Sequence, residues 1–148
     1  MPIDPSFVGR SYPPGSPYLV GREKIREFAA AIGATDPIHH DPEAGREAGH
    51  SDVVAPPTFP VVLSMASAGR VIDDPDLDMD YSRVVHGDQR FRYVRPVVAG
   101  DELVCTDSIE EIMSRGGHDF LTIRTEMATV AGDPVVTVWM KLVVRGES

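Results

Sequence analysis

Residues 59–72 read FPVVLSMASAGRVI, and the character of this stretch decides the fold. Nearly every position is apolar, and Ser64, Ser67 and Arg70 form one thin polar line at a spacing of three residues. A helix that is apolar on almost every side must be covered by other elements. The stretch therefore predicts a buried central helix, with Thr58 as its N-cap and Pro60 in its first turn.

The chain after this helix changes from a helical period to a strand period. Four segments alternate in polarity or are rich in β-branched and aromatic residues, which is typical of strands. Short turn-type breaks separate them and suit antiparallel neighbours. We therefore predict an α+β protein in which a curved antiparallel sheet wraps around the helix. The four segments are 83–94, 102–113, 119–130 and 135–144, and the breaks are 96–101, 115–118 and 131–134.

Two shorter helices are predicted before the central one. Apolar residues over 22–32 lie on one helical face, and Gly33 ends that helix. Asp41 is the predicted N-cap of the second helix, which ends before Gly49. Residues 1–17 contain five of the 13 prolines, and we expect an irregular extended segment there. We find no repeat or linker, so we expect a single domain over 1–148.

Charge and composition exclude several classes of partner. The 148 residues contain 14 Lys and Arg against 23 Asp and Glu, a net charge of -9, which disfavours nucleic acid and anionic membranes. No apolar stretch reaches the roughly 18 residues that span a bilayer, and no signal-peptide pattern is present. We therefore expect a cytoplasmic protein. The single cysteine, Cys105, lies in an alternating strand and is expected to be a small buried residue.

The loop between the first two helices, ATDPIHHD at residues 34–41, carries the side chains best suited to chemistry. Histidine can transfer protons near neutral pH, and Pro37 stiffens the loop around His39. His39 is therefore the candidate catalytic residue. On local chemistry alone, a solvated loop histidine is the competing interpretation.

The chain resembles the MaoC-like dehydratase and R-specific enoyl hydratase family, which has a hot-dog fold. That family's signature, Asp-x-Asn-Pro-aliphatic-His, falls on residues 34–39, Ala-Thr-Asp-Pro-Ile-His. The stretch VRPVVAGDEL at 94–103 is similar to the family's Arg-Pro-x-x-x-Gly-Asp turn between two strands. The stretch VVAPPTF at 53–59 resembles the approach to the central helix in the family's N-terminal-domain branch.

This resemblance implies reversible addition of water to a trans-2-enoyl thioester of coenzyme A or acyl carrier protein. The product is an R-3-hydroxyacyl thioester, and no cofactor is expected. His39 matches the family's catalytic histidine, but the catalytic aspartate falls on Ala34, which cannot hold water or move a proton. Asp36 offers a carboxylate two residues away. It either replaces the missing acid or only caps the loop.

Negative charge on the thioester oxygen also needs hydrogen-bond donors. We expect unpaired amides in the first turn of the central helix, those of Phe59 and Val61, to supply them. The relatives use a glycine N–H before this helix, where Pro56 and Pro57 stand in this chain and have none to give. The backbone N–H of Thr58 is the alternative donor.

The remaining candidates complete the expected site. A ligand-lining role for His86 and Gly87 competes with a simple strand bulge at the glycine. The acidic stretch 73–80 is expected to be solvated, because it lacks the spacing of a calcium loop, and the histidines match no zinc pattern. We therefore expect no metal site. The expected substrate-binding residues are Pro37, Thr58, Phe59, Val61, His86 and Gly87.

Two functions from different classes follow from the resemblance. The chain is either a dehydratase or hydratase with His39 as base, or a non-catalytic subunit that binds acyl thioesters beside a sister hot-dog subunit with an intact motif. A hot-dog thioesterase is less favoured, since residues 59–72 contain no carboxylate. The resemblance also implies a homodimer or a heterodimer with such a sister subunit.

Overall fold

The computed structural model describes residues 2–146, which form one five-stranded antiparallel sheet with three α-helices. The sheet order is β1-β3-β4-β5-β2. The strands are β1 Tyr18–Leu19, β2 Val84–Tyr93, β3 Glu102–Arg115, β4 His118–Thr129 and β5 Pro134–Val144. The helices are α1 Arg22–Ala31, α2 Pro42–Glu47 and α3 Val61–Ile72, with 3-10 turns at Pro5–Phe7, Pro37–His39 and Tyr81–Arg83.

The predicted α+β architecture is confirmed, and it is the hot-dog arrangement of a curled sheet around a central helix. The four long strands end within two residues of the predicted limits. The register of β2 against β5 shifts between His86 and Asp88, so the predicted bulge at Gly87 is also confirmed. A side chain at Gly87 would lie 2.9 Å from that of Val143, which explains the glycine.

Helix α3 packs on β3 and β4 through one face only. Leu63, Ala68 and Val71 are buried against the sheet, whereas Met65 is 48% exposed and Ala66 is exposed as well. The apolar composition of this helix predicts that its whole surface is buried, but a single sheet can pack against one side of a helix only. Residues 2–146 therefore leave part of the apolar surface of α3 uncovered.

The start of α3 differs from the prediction. The helix begins at Val61 with Pro60 as its N-cap, and no side chain caps it. Thr58 precedes the helix in a tight turn instead. Three prolines and two backbone turns lie within residues 56–61, so the chain already turns tightly before the helix starts.

The N-terminal segment runs along the open side of β3. The N–H groups of Gly9, Tyr12 and Gly15 donate to carbonyls of β3 at 2.8, 2.9 and 3.1 Å. Arg10 also forms an ion pair of 2.8 Å with Asp74. The acidic stretch 73–80 is therefore not simply solvated as predicted, because Asp74 holds this segment.

The opposite side of the sheet is different. Within residues 2–146, strand β2 pairs with β5 alone, so the outer backbone edge of β2 has no neighbouring strand. Unpaired strand edges tend to recruit another chain.

Within residues 2–146, none of the helices combines the length and the apolar composition that a membrane-spanning helix needs.

Candidate active site

The loop that carries His39 is held by its own side chains and backbone. The Asp36 carboxylate accepts the N–H of Ile38 at 3.0 Å and so caps the 3-10 turn that ends at His39. The ring Nε2 of His40 lies 2.7 Å from the carbonyl oxygen of Ala34, the residue at the start of the loop. These contacts give the loop a fixed shape between α1 and α2.

The ring of His39 is half-buried, and its Nδ1 lies 2.6 Å from the carbonyl oxygen of Val54. A carbonyl can only accept a hydrogen bond, so we assign the ring hydrogen to Nδ1. The lone pair of the neutral ring then lies on Nε2. No group in the described residues bonds to Nε2, which leaves that atom able to take a proton from a substrate.

The segment Val53–Ala55 that receives this histidine is itself paired with residues 97–99. The N–H of Ala55 donates to the carbonyl of Val97 at 2.8 Å, and the N–H of Ala99 donates to that of Val53 at 3.0 Å. The Val54 N–H turns the other way and donates to the carbonyl of Ile38 at 2.9 Å. Val54 therefore links the His39 loop to the connection between β2 and β3.

A bidentate ion pair closes the turn that contains residues 97–99. The two terminal nitrogens of Arg95 donate to the two carboxylate oxygens of Asp101 at 2.8 and 3.0 Å. The same carboxylate accepts the N–H of Val98 at 2.9 Å. The hydrogen bond to Asp101 is the main cause that raises the pKa of Arg95. This pair gives the Arg-Pro-x-x-x-Gly-Asp motif a structural role.

The prediction that the amides of Phe59 and Val61 are unpaired is wrong. The Phe59 N–H donates to the carbonyl of Pro56 at 2.9 Å, and the Val61 N–H donates to that of Thr58 at 3.1 Å. Turns before the helix therefore satisfy both amides. The N–H of Thr58, an exposed residue, has no hydrogen-bond partner in the part of the chain that the structure describes.

The side chain of Phe59 belongs to the core rather than to an open site. It is fully buried, and its ring meets that of Phe28 edge-on at a centroid distance of 5.5 Å. Nearby, the Tyr93 hydroxyl donates to the carbonyl of Pro57 at 2.5 Å, and burial raises the pKa of that tyrosine. These contacts fix the approach to α3.

The other expected site residues are spread over two places. Asp36 and Pro37 are exposed at the start of the His39 turn. His86 and Gly87 lie exposed on β2, where the His86 ring is 3.0 Å from the Gln89 side chain. Among the described residues, no hydrogen bond joins this part of β2 to the His39 loop. No group of three His, Cys, Asp or Glu residues in 2–146 is arranged to hold a metal ion.

A groove of about 310 Å³ lies between α3 and the N-terminal segment. One line of α3 borders the groove with Val62, Ala66 and Arg70. The groove is also lined by Tyr18 and Cys105. Burial is the main cause that raises the pKa of the Cys105 thiol, to about 12. The prediction of a small buried cysteine is confirmed.

A buried carboxylate that the sequence motifs do not indicate lies beside this groove. Asp107 is fully buried on β3 and accepts hydrogen bonds from Ser67, from Thr125 at 2.6 Å and from Arg70 at 3.2 Å. A buried charge needs such partners. An inward position in an alternating strand was the one signal available, since Asp107 shares its face with Cys105 and Ile109.

Comparisons with known proteins agree with this architecture. Residues 6–138 match the family described as FAS1-like, dehydratase domain region. A UPF0336 protein of Streptomyces coelicolor is 58% identical over 145 residues, which cover 98% of this chain and 97% of that protein. Among solved structures, a MaoC-like dehydratase is 35% identical with a TM-score of 0.88, and the match covers 95% of this chain but 43% of that longer one.

A second solved structure is similar over nearly the full length of both chains. It is the C-terminally truncated HadBC (3R-hydroxyacyl-ACP dehydratase) complex from Mycobacterium tuberculosis, with 30% identity, a TM-score of 0.82 and coverage of 93% of this chain and 96% of that chain. The matched family and these structural neighbours agree with the resemblance to the MaoC-like hot-dog dehydratases. The chain belongs to the FAS1-like dehydratase domain family, within the MaoC-like hot-dog dehydratases.

Proposed function

We propose that the chain is a subunit of a (3R)-hydroxyacyl-thioester dehydratase, with an incomplete catalytic motif, in which His39 is the base. The hydrogen bond between His39 Nδ1 and the Val54 carbonyl carries this proposal, because it leaves Nε2 as the proton acceptor. In dehydration, Nε2 takes the C2 proton, the released electron pair forms the C2=C3 bond, and the hydroxyl leaves C3. The leaving hydroxide takes up a proton and departs as water.

The proton donor at C3 is the missing part. Ala34 has no acidic group, and the Asp36 carboxylate already caps the His39 turn from an exposed position. We therefore infer that a sister subunit or Asp36 supplies the acid. A substitution of Asp36 by Asn separates these sources, since it retains an acceptor for the Ile38 amide but removes the acid.

The thioester oxygen needs a donor as its negative charge grows. We propose the N–H of Thr58 for this role, in place of the amides of Phe59 and Val61. It is unpaired within residues 2–146 and follows two prolines. It also lies four residues after Val54, which holds His39.

Two uncovered surfaces support a dimer. The outer edge of β2 has no neighbouring strand among residues 2–146, and α3 leaves Met65 exposed. Because the 30% identical HadBC structure is a complex of two named subunits, we favour a sister hot-dog chain as the partner, with a second copy as the alternative.

The groove beside α3 suits the aliphatic tail of the acyl group. Its lining includes Val62, Leu63 and Ala66, and Arg70 and Ser67 bind Asp107 on one side of it. We propose that coenzyme A or acyl carrier protein carries this acyl group. His86 and Gly87 remain proposed as substrate contacts, reached in the assembled dimer from the β2 edge.

The test is enoyl-thioester hydration by the purified chain, alone and together with any hot-dog chain that co-purifies with it. Loss of the enoyl-CoA absorbance reports the reaction. We expect little turnover by the chain alone and robust turnover with the partner, reduced by His39→Gln in this chain. Turnover that is unchanged by His39→Gln would support the alternative function, a non-catalytic subunit that binds the acyl thioester. The alanine at position 34 favours this alternative.

A further inference from the structure

A continuous series of contacts leads from the Arg95–Asp101 ion pair to the ring of His39. The Asp101 carboxylate holds both Arg95 and the N–H of Val98. Residues 97 and 99, on either side of Val98, bond to the Val53–Ala55 segment. The carbonyl at the centre of that segment, on Val54, is the group that receives His39 Nδ1.

We propose that Arg95 and Asp101 are positioning residues that set which ring nitrogen of His39 carries hydrogen. This inference rests on the proposed function, because it gives the ion pair a role in preparing the base. Neither side chain bonds to His39 itself. They act by fixing the turn on which the Val54 carbonyl depends.

The physical argument concerns the two neutral forms of histidine. A free imidazole side chain in water prefers to carry its hydrogen on Nε2, and that form has no lone pair on Nε2 to accept a proton. The Val54 carbonyl reverses this preference by accepting from Nδ1. If the turn relaxes and the carbonyl moves, the hydrogen returns to Nε2 and the base is lost.

Few backbone hydrogen bonds hold the segment around Val54, although Val53 and Ala55 also pack in the core. The segment lies outside the five strands, and it pairs with residues 97–99 through an isolated bridge and two flanking hydrogen bonds. The bidentate pair in the turn is partly shielded, with side-chain exposures of 39% for Arg95 and 16% for Asp101. Bidentate arginine–carboxylate pairs fix geometry as well as charge.

The experiment measures the ring nitrogens of His39 by long-range proton–nitrogen NMR correlation in labelled protein without substrate, above the pH at which the ring is charged. His39→Gln assigns the signals. In the wild type we expect a protonated Nδ1 and an unprotonated Nε2. In Asp101→Asn we expect the two nitrogen shifts to move toward each other, as hydrogen is shared between Nδ1 and Nε2.

Two further variants keep the test decisive. Arg95→Lys retains the positive charge but cannot form the bidentate pair. In this variant the His39 ring signals should lie between those of the wild type and Asp101→Asn. It also supplies the readout if Asp101→Asn does not fold. The exchanged pair Arg95→Asp with Asp101→Arg should restore part of the wild-type pattern.

The control is Asp74→Asn, which removes a comparable ion pair elsewhere. Arg10 and Asp74 are also 2.8 Å apart, with side-chain exposures of 32% and 10%. We expect no change at His39 in this variant. Folded Asp101→Asn or Arg95→Lys protein with wild-type ring signals would overturn the inference, as would an equal response in Asp74→Asn.

The failure of this inference is distinct from failure of the proposed function. The nitrogen signals are read without turnover, so they report on positioning alone. A ring that responds as expected in a complex without dehydratase activity would overturn the proposed function. If the ring nitrogen signals of His39 do not change in the Arg95 and Asp101 variants while the complex is active, only the positioning role would be overturned.

Discussion

His39 Nδ1 and the carbonyl oxygen of Val54 lie 2.6 Å apart, and the N–H of the same Val54 donates to the carbonyl of Ile38. One residue thus fixes both the backbone of the His39 loop and the ring that it carries. Because the carbonyl oxygen accepts from Nδ1, the other ring nitrogen is the one offered to a ligand.

Restoring the missing carboxylate should raise activity. We expect Ala34→Asp to increase the hydration rate of the chain with its partner by about tenfold or more, since general acids contribute about 10²–10⁴-fold. The side chain of Ala34 makes none of the loop's hydrogen bonds, and its carbonyl remains available to His40. The measurement is kcat by loss of enoyl absorbance.

The matched control for this gain is Thr35→Asp, which adds the same charge one residue further along. That variant should leave kcat unchanged. Equal rates for Ala34→Asp, Thr35→Asp and the wild type would contradict the assignment of the site to this loop.

Much of the fold could be predicted from the sequence, because its patterns are local. The alternation of the strands, the N-cap at Asp41 and the end of α1 before Gly33 depend on neighbours in the chain, and the structure has them where predicted. The extent of cover on α3 could not be predicted. It depends on how far a single sheet reaches around the helix, which composition does not encode.

The site was predictable in part for the same reason. The position of His39 follows from a sequence motif, but the partner of its ring, Val54, is 15 residues away and contributes a backbone group. The free amides expected at Phe59 and Val61 assume a regular helix start. In the structure, turns over residues 56–61 precede the regular helix, and their carbonyls accept both amides. Hydrophobic periodicity does not report such turn geometry.

Acid should weaken the fold partly through Asp52. Hydrogen bonds from Arg22 lower the pKa of this carboxyl to about 2, below its ordinary value of 3.8. A lowered folded-state pKa stabilises the protein above the unfolded value, and that contribution is lost as pH falls from about 4 toward 2. Asp52→Asn should therefore flatten the fall in urea midpoint over this pH range.

The control for the acid series is Asp88→Asn on β2. Asp88 is exposed and has no ion pair among residues 2–146. Its substitution should leave the pH dependence of the urea midpoint as in the wild type. A flattened curve in Asp88→Asn but not in Asp52→Asn would contradict the role of the Arg22–Asp52 pair.

Cys105 should resist thiol reagents while the protein is folded. Burial raises its pKa to about 12, so at pH 8 the folded chain holds roughly a thousandfold less thiolate than an ordinary cysteine does. We expect labelling by a disulfide reagent to be at least about a hundredfold slower than in the denatured chain. Equal rates would mean that the groove wall opens readily.

Filling the groove beside α3 should change the preferred acyl length. Ala66→Phe places a ring against the space lined by Val62 and Cys105. We expect KM to rise about tenfold or more for long-chain enoyl thioesters and to change little for a four-carbon one, because a four-carbon acyl group has little tail to place in a groove. The control is Ala30→Phe on the exposed side of α1. An equal KM rise for both chain lengths would contradict the proposed tail site.

The most direct test of the account is the hydration rate of the assembled complex with His39→Gln in this chain. We predict a loss in kcat of about 10²–10⁴-fold, the usual contribution of a general base. Thermal stability should stay near that of the wild type. The control is His50→Ala, which removes a histidine after α2 that is not among the proposed site residues and should keep full activity. Wild-type kcat in a folded His39→Gln complex would contradict the claim that His39 is the base.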